Sequence, residues 1–180
     1  MDVILVDEND VAIGRMEKME VHRKALLHRA FSVFIFNNKG EMLLQKRSAK
    51  KYHSACLWTN ACCSHPQPDQ DTISAANIRL IEEMGFTTPI TKAFDFIYKT
   101  PFDNGLTEHE FDHVYIGTYN NTSIVPNKEE VSDYCYKTLE EIDQSVQSHP
   151  QKYTEWFKIA FPKMQAYLAL KYKEEIYSIK

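Results

Sequence analysis

The stretch Thr59-Asn60-Ala61-Cys62-Cys63-Ser64-His65-Pro66, with Ile78-Arg79-Leu80-Ile81-Glu82-Glu83-Met84-Gly85-Phe86 shortly after it, is where the chain is most informative. From Thr72 to Met84 the apolar positions Ile73, Ala76, Leu80 and Met84 recur at helical spacing, and Gly85 supplies a stop. An extended segment therefore leads into a central helix. Working outward, Val3 to Val6, the residues DEND and Val11 to Ile13 read as an opening hairpin. Phe31 to Phe36, the turn Asn37-Asn38-Lys39-Gly40 and Glu41 to Lys46 read as a stronger one. Strand-like runs follow at Ala93 to Lys99, Phe111 to Thr118 and Val131 to Tyr136, and the segments Leu139 to Gln147 and Tyr153 to Ile176 read as helices. Strands on either side of a central helix, with helices closing the chain, indicate an α+β sandwich. In the last helix Phe157, Phe161, Met164, Leu168 and Tyr172 fall near one face, and core packing accounts for nearly all of them.

The 180 residues are 43% hydrophobic and 26% charged, with five glycines and no repeat or linker-like tract, so one domain over residues 1–180 is expected. A chain this long hides roughly 70% of its extended surface on folding and needs no metal or disulfide for stability. A bound metal would then serve function. The net charge of −4 gives no global field for nucleic acid or an anionic membrane, so an anionic ligand needs a local cluster of cations. No run reaches the length of a membrane span, and MDVILVDENDVAIG lacks the features of a signal peptide, which makes a cytoplasmic protein the expectation. Cys56, Cys62, Cys63 and Cys135 form no C-x-x-C pair, so a disulfide framework is not expected and at least one free thiol is. No glycine loop of the dinucleotide-binding kind is present.

Four groups of residues could carry chemistry. In an extended segment Cys63 and His65 point to the same side and can face one cavity, although an inert buried cysteine beside a polar histidine gives the same pattern. Glu108 and Glu110 share a face at the entry to a strand, where paired carboxylates share a proton or hold a cation; a solvated edge strand would look alike. His22 and His28 flank Arg23 to Leu27, ahead of the first strong strand. Together with His65 and the two glutamates they offer three imidazoles and two carboxylates, a set suited to manganese, magnesium or zinc. Arg47, Lys50, Lys51 and Arg79 could bind phosphate groups, with a solubilising surface the default for Lys50.

The hairpin, TNACCSHP and IRLIEEMGF together resemble the Nudix superfamily, which implies a Nudix-like α/β/α sandwich around a mixed sheet. Counted back from Gly85, the superfamily's box G-x5-E-x7-R-E-U-x-E-E-x-G-U puts Ser64 at its first glycine and Gln70 at its first glutamate. It then puts Ile78 at its arginine and Arg79 at the next glutamate, so that Glu82, Glu83, Gly85 and the apolar positions remain. A hydrolase that uses clustered glutamates to hold metals on a diphosphate is opposed by a cation at position 79. The motifs TN-x-x-C-x-HP, R-x-x-x-E-x-G and E-x-E, preceded by two histidines, resemble instead the type I isopentenyl-diphosphate Δ-isomerases of the same fold, over about Val3 to Trp156.

The resemblance implies conversion of isopentenyl diphosphate to dimethylallyl diphosphate in isoprenoid biosynthesis, by protonation and deprotonation through a tertiary carbocation. It implies Cys63, Glu110 and Tyr98 as catalytic residues, and His22, His28, His65, Glu108 and Glu110 as holders of Mn2+, Zn2+ or Mg2+. Glu83 would serve a Mg2+ that accompanies the diphosphate, and Arg47, Lys51, Arg79 and Trp156 would bind the substrate. Cys63 is chosen over Cys62 because it lies two residues before His65, and His22 and His28 are six apart where the resemblance implies closer to seven. The expected partner is a small diphosphate, with no nucleic acid and no membrane, and the chain is expected as a monomer or weak homodimer. The rival readings are a Nudix hydrolase of a nucleoside diphosphate derivative and a non-catalytic metal-binding domain.

Overall fold

The computed structural model describes residues 1–121 and 123–178. Its hub is the strand β3 (His28–Phe36), whose residues are buried almost throughout. Strands β1 (Asp2–Val6) and β2 (Ala12–Glu17) form the opening hairpin, and helix α1 (Lys18–Lys24) leads to β3 (His28–Phe36) and β4 (Met42–Arg47). The short strands β5 (Trp58–Thr59) and β6 (Cys62–Ser64) precede helix α2 (Thr72–Met84). After it come β7 (Ile90–Pro101), β8 (Thr107–Thr118), β9 (Val131–Lys137) and helices α3 (Leu139–Ser148) and α4 (Glu155–Ser178). The sheet is mixed: β3 runs parallel to β8, and β7 to β8, β6 to β3 and β9 to β4 are antiparallel.

Alternation along β3 sorts its side chains into two cores. Phe31, Val33 and Ile35 pack with Leu43, Leu80 and Met84 on the α2 side, and Phe34 and Phe36 pack with Met42, Leu44, Phe157, Phe161 and Met164 on the α4 side. Each such buried side chain contributes roughly 1.5–3 kcal/mol, so the two layers hold the sheet between helices on both faces. The expected α+β sandwich is found. The helix read at Thr72 to Met84 has those bounds, with Asp71 capping its start by accepting from Ser74 N–H at 2.9 Å and Gly85 closing it at φ 76°.

Four local features sharpen the sequence reading. The segment between His22 and His28 holds the end of a helix, α1, which stops at Ala25 in the left-handed region, φ 53°. Tyr172 of α4 is exposed and takes no part in the core. Ile73 of α2 is likewise exposed. Strand β8 begins at Thr107 and lies between β3 and β7, so Glu108 and Glu110 are buried inside the sheet and not on a solvated edge. No described helix is long and apolar enough to cross a membrane.

Candidate active site

Strand register assembles the centre of the site. His28 of β3 lies opposite Glu110 of β8, which lies opposite Tyr98 of β7, so three side chains form a row across three strands. Two residues along β3, Ala30 faces Asp112, and at Ser32 the other edge of the strand meets Cys63 of β6. Residues two apart share a face, which gathers His28 and Ser32, Glu108, Glu110 and Asp112, and Cys63 and His65 on one side of the sheet, where Ser32, Cys63, His65, Glu108 and Glu110 line a cavity.

Three buried histidines and a glutamate meet there. His22, on α1, places Nδ1 2.7 Å from the carbonyl of Lys18, and His28 places Nδ1 2.9 Å from that of Leu26. A carbonyl only accepts, so in both rings Nδ1 carries a hydrogen, which leaves Nε2 as the atom turned inward and able to ligate. His28 Nε2 is 3.1 Å from His65 Nε2, which is 2.9 Å from Glu110 Oε1, and His22 Nε2 has no hydrogen-bond partner among the described residues. Four ligand atoms lie within 4.8 Å of one another, from His22, His28, His65 and Glu110. Convergent imidazole lone pairs and an unpartnered buried nitrogen suit a divalent cation, and the set can hold one. Burial drives the His65 imidazolium down to about 3, with the Lys18 charge acting the same way, so the ring is neutral and ready to ligate.

Glu108 stands beside this group, not within its four ligand atoms, and shares a donor with Glu110. The Tyr98 hydroxyl is 3.0 Å from Glu108 Oε2 and 2.7 Å from Glu110 Oε2. Burial and the Glu110 charge raise the Glu108 carboxyl well above its ordinary range. Burial also works to raise Glu110, but hydrogen bonds from His28 and His65 outweigh it and hold that carboxyl low. Tyr98 is pushed up by burial and by both carboxylates, so it stays a neutral donor.

On the same cavity, the Cys63 thiol donates to Asn60 Oδ1 at 3.1 Å and lies 3.4 Å from Ser32 Oγ, which donates to Asp112 Oδ2 at 2.7 Å. Asn60 is oriented by its amide donating to the carbonyls of Val33 and Cys62. Burial and the nearby Asp112 carboxyl raise the Cys63 thiol far above its ordinary value, so the sulfur holds its proton. Cys62 points the other way, into the core beneath α2.

Three of the four sequence-selected cations, Arg47, Lys51 and Arg79, line the same cavity. Arg47 is pinned by the carbonyls of Ser54 and His53, at 3.2 and 3.3 Å, and its guanidinium lies 5.0 Å from the centroid of Trp156. Lys51 pairs with Glu130. Arg79 is shared among Glu82, Glu83 and Glu130, at 3.0, 2.8 and 2.8 Å. Glu83 is not among the cavity-lining side chains: Arg79 and Gln45 hold its two oxygens. Lys50 is an exposed partner of Glu129.

Sequence reasoning missed Lys18, Tyr52 and His53, which also line the cavity. His53 stacks on Phe102 at 4.8 Å, meets Trp156 edge-on at 5.9 Å, and is held down to about 3 by burial and the Arg47 charge. It is a neutral wall. The buried Asp112 was also missed, although E-x-E-x-D from Glu108 continues the alternation that revealed the two glutamates.

A family profile for the NUDIX domain matches residues 26–157. A solved structure of a Deinococcus radiodurans protein superposes with a TM-score of 0.76 at 16% identity, covering 91% of this chain and 98% of that one. A MutT protein from Methanosarcina mazei superposes with a TM-score of 0.63 at 20% identity, covering 78% and 94%. The fold and its central loop–helix segment thus define a Nudix-domain protein. Among curated proteins, isopentenyl-diphosphate Delta-isomerase of Pectobacterium atrosepticum is 46% identical over 166 residues, 92% of each chain. Isopentenyl-diphosphate Delta-isomerase 2 of Photorhabdus laumondii is 49% identical over 156 residues, 87% of this chain and 88% of that one. At that identity and coverage, the chain belongs to the isopentenyl-diphosphate Delta-isomerase family, and it is an enzyme.

Proposed function

We propose that the protein converts isopentenyl diphosphate to dimethylallyl diphosphate, a step of isoprenoid biosynthesis, with Cys63 and Glu110 as its two proton carriers. The observation that carries this reading is the single cavity lined by Cys63, Tyr98 and Glu110 together with Arg47, Lys51 and Arg79. The reaction adds a proton to the terminal methylene carbon and removes one from the carbon beside the CH2–O group, leaving a tertiary carbocation between the two steps. It therefore needs two groups of opposite protonation on one substrate.

The thiol keeps its proton on Sγ while Glu110 is held as a carboxylate, so the two sites start in complementary states. Tyr98 orients Glu110 through Oε2. Trp156 and the neutral His53 exclude water that would trap the cation, and the face of an aromatic ring stabilises a desolvated cation by about 2 kcal/mol. The five-carbon tail offers little to grip, so Arg47, Lys51 and Arg79 fix the alkene by holding the diphosphate. His22, His28, His65 and Glu110, with Glu108 beside them, would hold manganese, zinc or magnesium, and Glu83 would serve a magnesium carried by the diphosphate. When bound, a divalent ion supplies positive charge that acidifies and aligns nearby proton carriers.

The test is incubation with isopentenyl diphosphate in heavy water containing magnesium and manganese. Deuterium in dimethylallyl diphosphate, with no phosphate released, is the expected result. Phosphate release would instead favour a hydrolase, and no turnover with retained metal would favour a binding domain.

A further inference from the structure

Glu130 lies outside the cavity yet holds two of the cations that line it. Its Oε2 accepts from Arg79 at 2.8 Å and pairs with Lys51 through the same oxygen. Arg79 has two other carboxylate partners, Glu82 and Glu83, whereas Glu130 is the one acidic partner of Lys51 among the described residues. The side chain of Glu130 is 25% exposed, so an incoming anion can take its place.

We propose that Glu130 is a positioning carboxylate of the diphosphate subsite: it occupies Lys51 and Arg79 in the substrate-free enzyme and yields both cations to the diphosphate. The proposal rests on the preceding assignment of those cations to the diphosphate. Two like charges brought together without an anion repel, and flexible side chains lose their common position. A carboxylate between them keeps both aimed at one point before substrate arrives. Its cost is competition, because a diphosphate carries the same sign of charge as the group it displaces.

The backbone at this position is fastened independently of the side chain. The carbonyl of Glu130 accepts from Ser48 N–H at 2.9 Å, and the carbonyl of Ser48 accepts from Lys51 N–H at 3.2 Å, so the segment bearing Lys51 hangs on residue 130 through main-chain bonds. Val131 N–H reaches the Asn127 carbonyl at 2.8 Å, and Asn127 N–H reaches that of Glu83 at 2.9 Å, tying the same turn to α2. Glu130→Gln keeps the shape and an acceptor oxygen while removing the charge, so it changes the competition and leaves these ties in place.

The experiment measures binding of inorganic diphosphate with magnesium by calorimetry, and steady-state turnover of isopentenyl diphosphate, for wild type and Glu130→Gln. Loss of the competing charge tightens diphosphate about three- to tenfold at low salt. KM falls in step, and kcat is unchanged or lower, since tighter uniform binding cannot speed the chemistry and retards product release. The gap between the two proteins closes at about 1 M salt, where a mere structural brace would leave it open. Equal or weaker diphosphate binding by the variant, or a wild type that binds no diphosphate, overturns the proposal. Binding is read without turnover, so a wild type that shows the Glu130 effect but does not isomerise the substrate fails only the isomerase reading.

Discussion

Cys63 and Glu110 sit in surroundings that move their protons in opposite directions, and that opposition is what a two-site proton transfer needs. The thiol is raised by burial with Asp112 behind it, and the carboxylate is lowered by two imidazoles despite its burial. Cys63→Ala removes one proton site and leaves Lys51, Arg79 and Arg47 untouched. Turnover of isopentenyl diphosphate is expected to fall by about 10³-fold or more, while the Kd for inorganic diphosphate changes less than about threefold. Glu110→Gln should match it in turnover and, unlike Cys63→Ala, also weaken divalent-metal binding, because Glu110 stands among the four ligand atoms. Near-normal turnover in either variant removes that residue from the chemistry. Much of this site was legible in the sequence because strand alternation is short-range: Cys63 with His65, and Glu108 with Glu110, announce their shared faces at a spacing of two. His53 and Glu130 were not legible. Their roles arise from contacts with Phe102 and Trp156, and with Lys51 and Arg79, across long stretches of chain, and neither lies in a periodic segment.

Helix α2 supplies Arg79 to the side of the cavity that we assign to the diphosphate, with Glu83 holding that arginine. Its end is fixed by Gly85, at φ 76°, where an added Cβ would lie 2.2 Å from the carbonyl oxygen of Val125. That atom is backbone and cannot swing away. Gly85→Ala combines a left-handed conformation with a backbone clash and is expected to destabilise the fold by about 2–4 kcal/mol. Chemical denaturation should report this loss, with KM rising as Arg79 shifts; an unchanged denaturation midpoint would contradict the close approach of the 124–130 segment to α2. The same helix was readable from its apolar spacing and its stop, whereas α1 was not. With seven residues, of which Val21 and His22 are buried, α1 is too short to display a period, and it ends on Ala25 where a glycine would have signalled the turn. The start of β8 was lost for the opposite reason. Thr107 to Glu110 reads as a polar approach to a strand, but the site buries both glutamates, and tertiary context overrides polarity.

The molecule as a whole encloses ionisable groups in the states that water disfavours, and this fixes how its stability depends on pH. Burial, aided by Arg47 and by Lys18 respectively, holds His53 and His65 down to about 3, against an ordinary value of 6.5. Between those values the unfolded chain binds two protons that the folded chain refuses, so these groups make stability rise with pH. Asp112 acts with the opposite sign: burial and the Glu110 charge lift it from 3.8 to about 8, so over that range the folded chain binds the extra proton and stability falls as pH rises. Glu108, raised by burial and Glu110, acts with Asp112 over the same range, while His22 and His113, both lowered by burial, act with the other two histidines. Just below pH 6.5 four histidines therefore oppose two carboxyls, and stability rises with pH. Above that the histidines no longer differ between states, and Asp112 and Glu108 produce a decline. The chelated protein is therefore expected to be most stable near pH 6.5, with the denaturant midpoint falling on both sides. A divalent ion that binds the folded state adds stability in proportion to its affinity. In that state His65 is held down to about 3 and His22 is lowered, both by burial, so few protons compete with the ion for these rings at about pH 5.5. Manganese should consequently raise the midpoint about as much at pH 5.5 as at pH 7.5. A chelated protein whose midpoint does not rise toward pH 6.5 would mean that the histidines are not buried in their neutral form, and a manganese gain that is lost at about pH 5.5 would mean that its ligands take up protons as free imidazoles do.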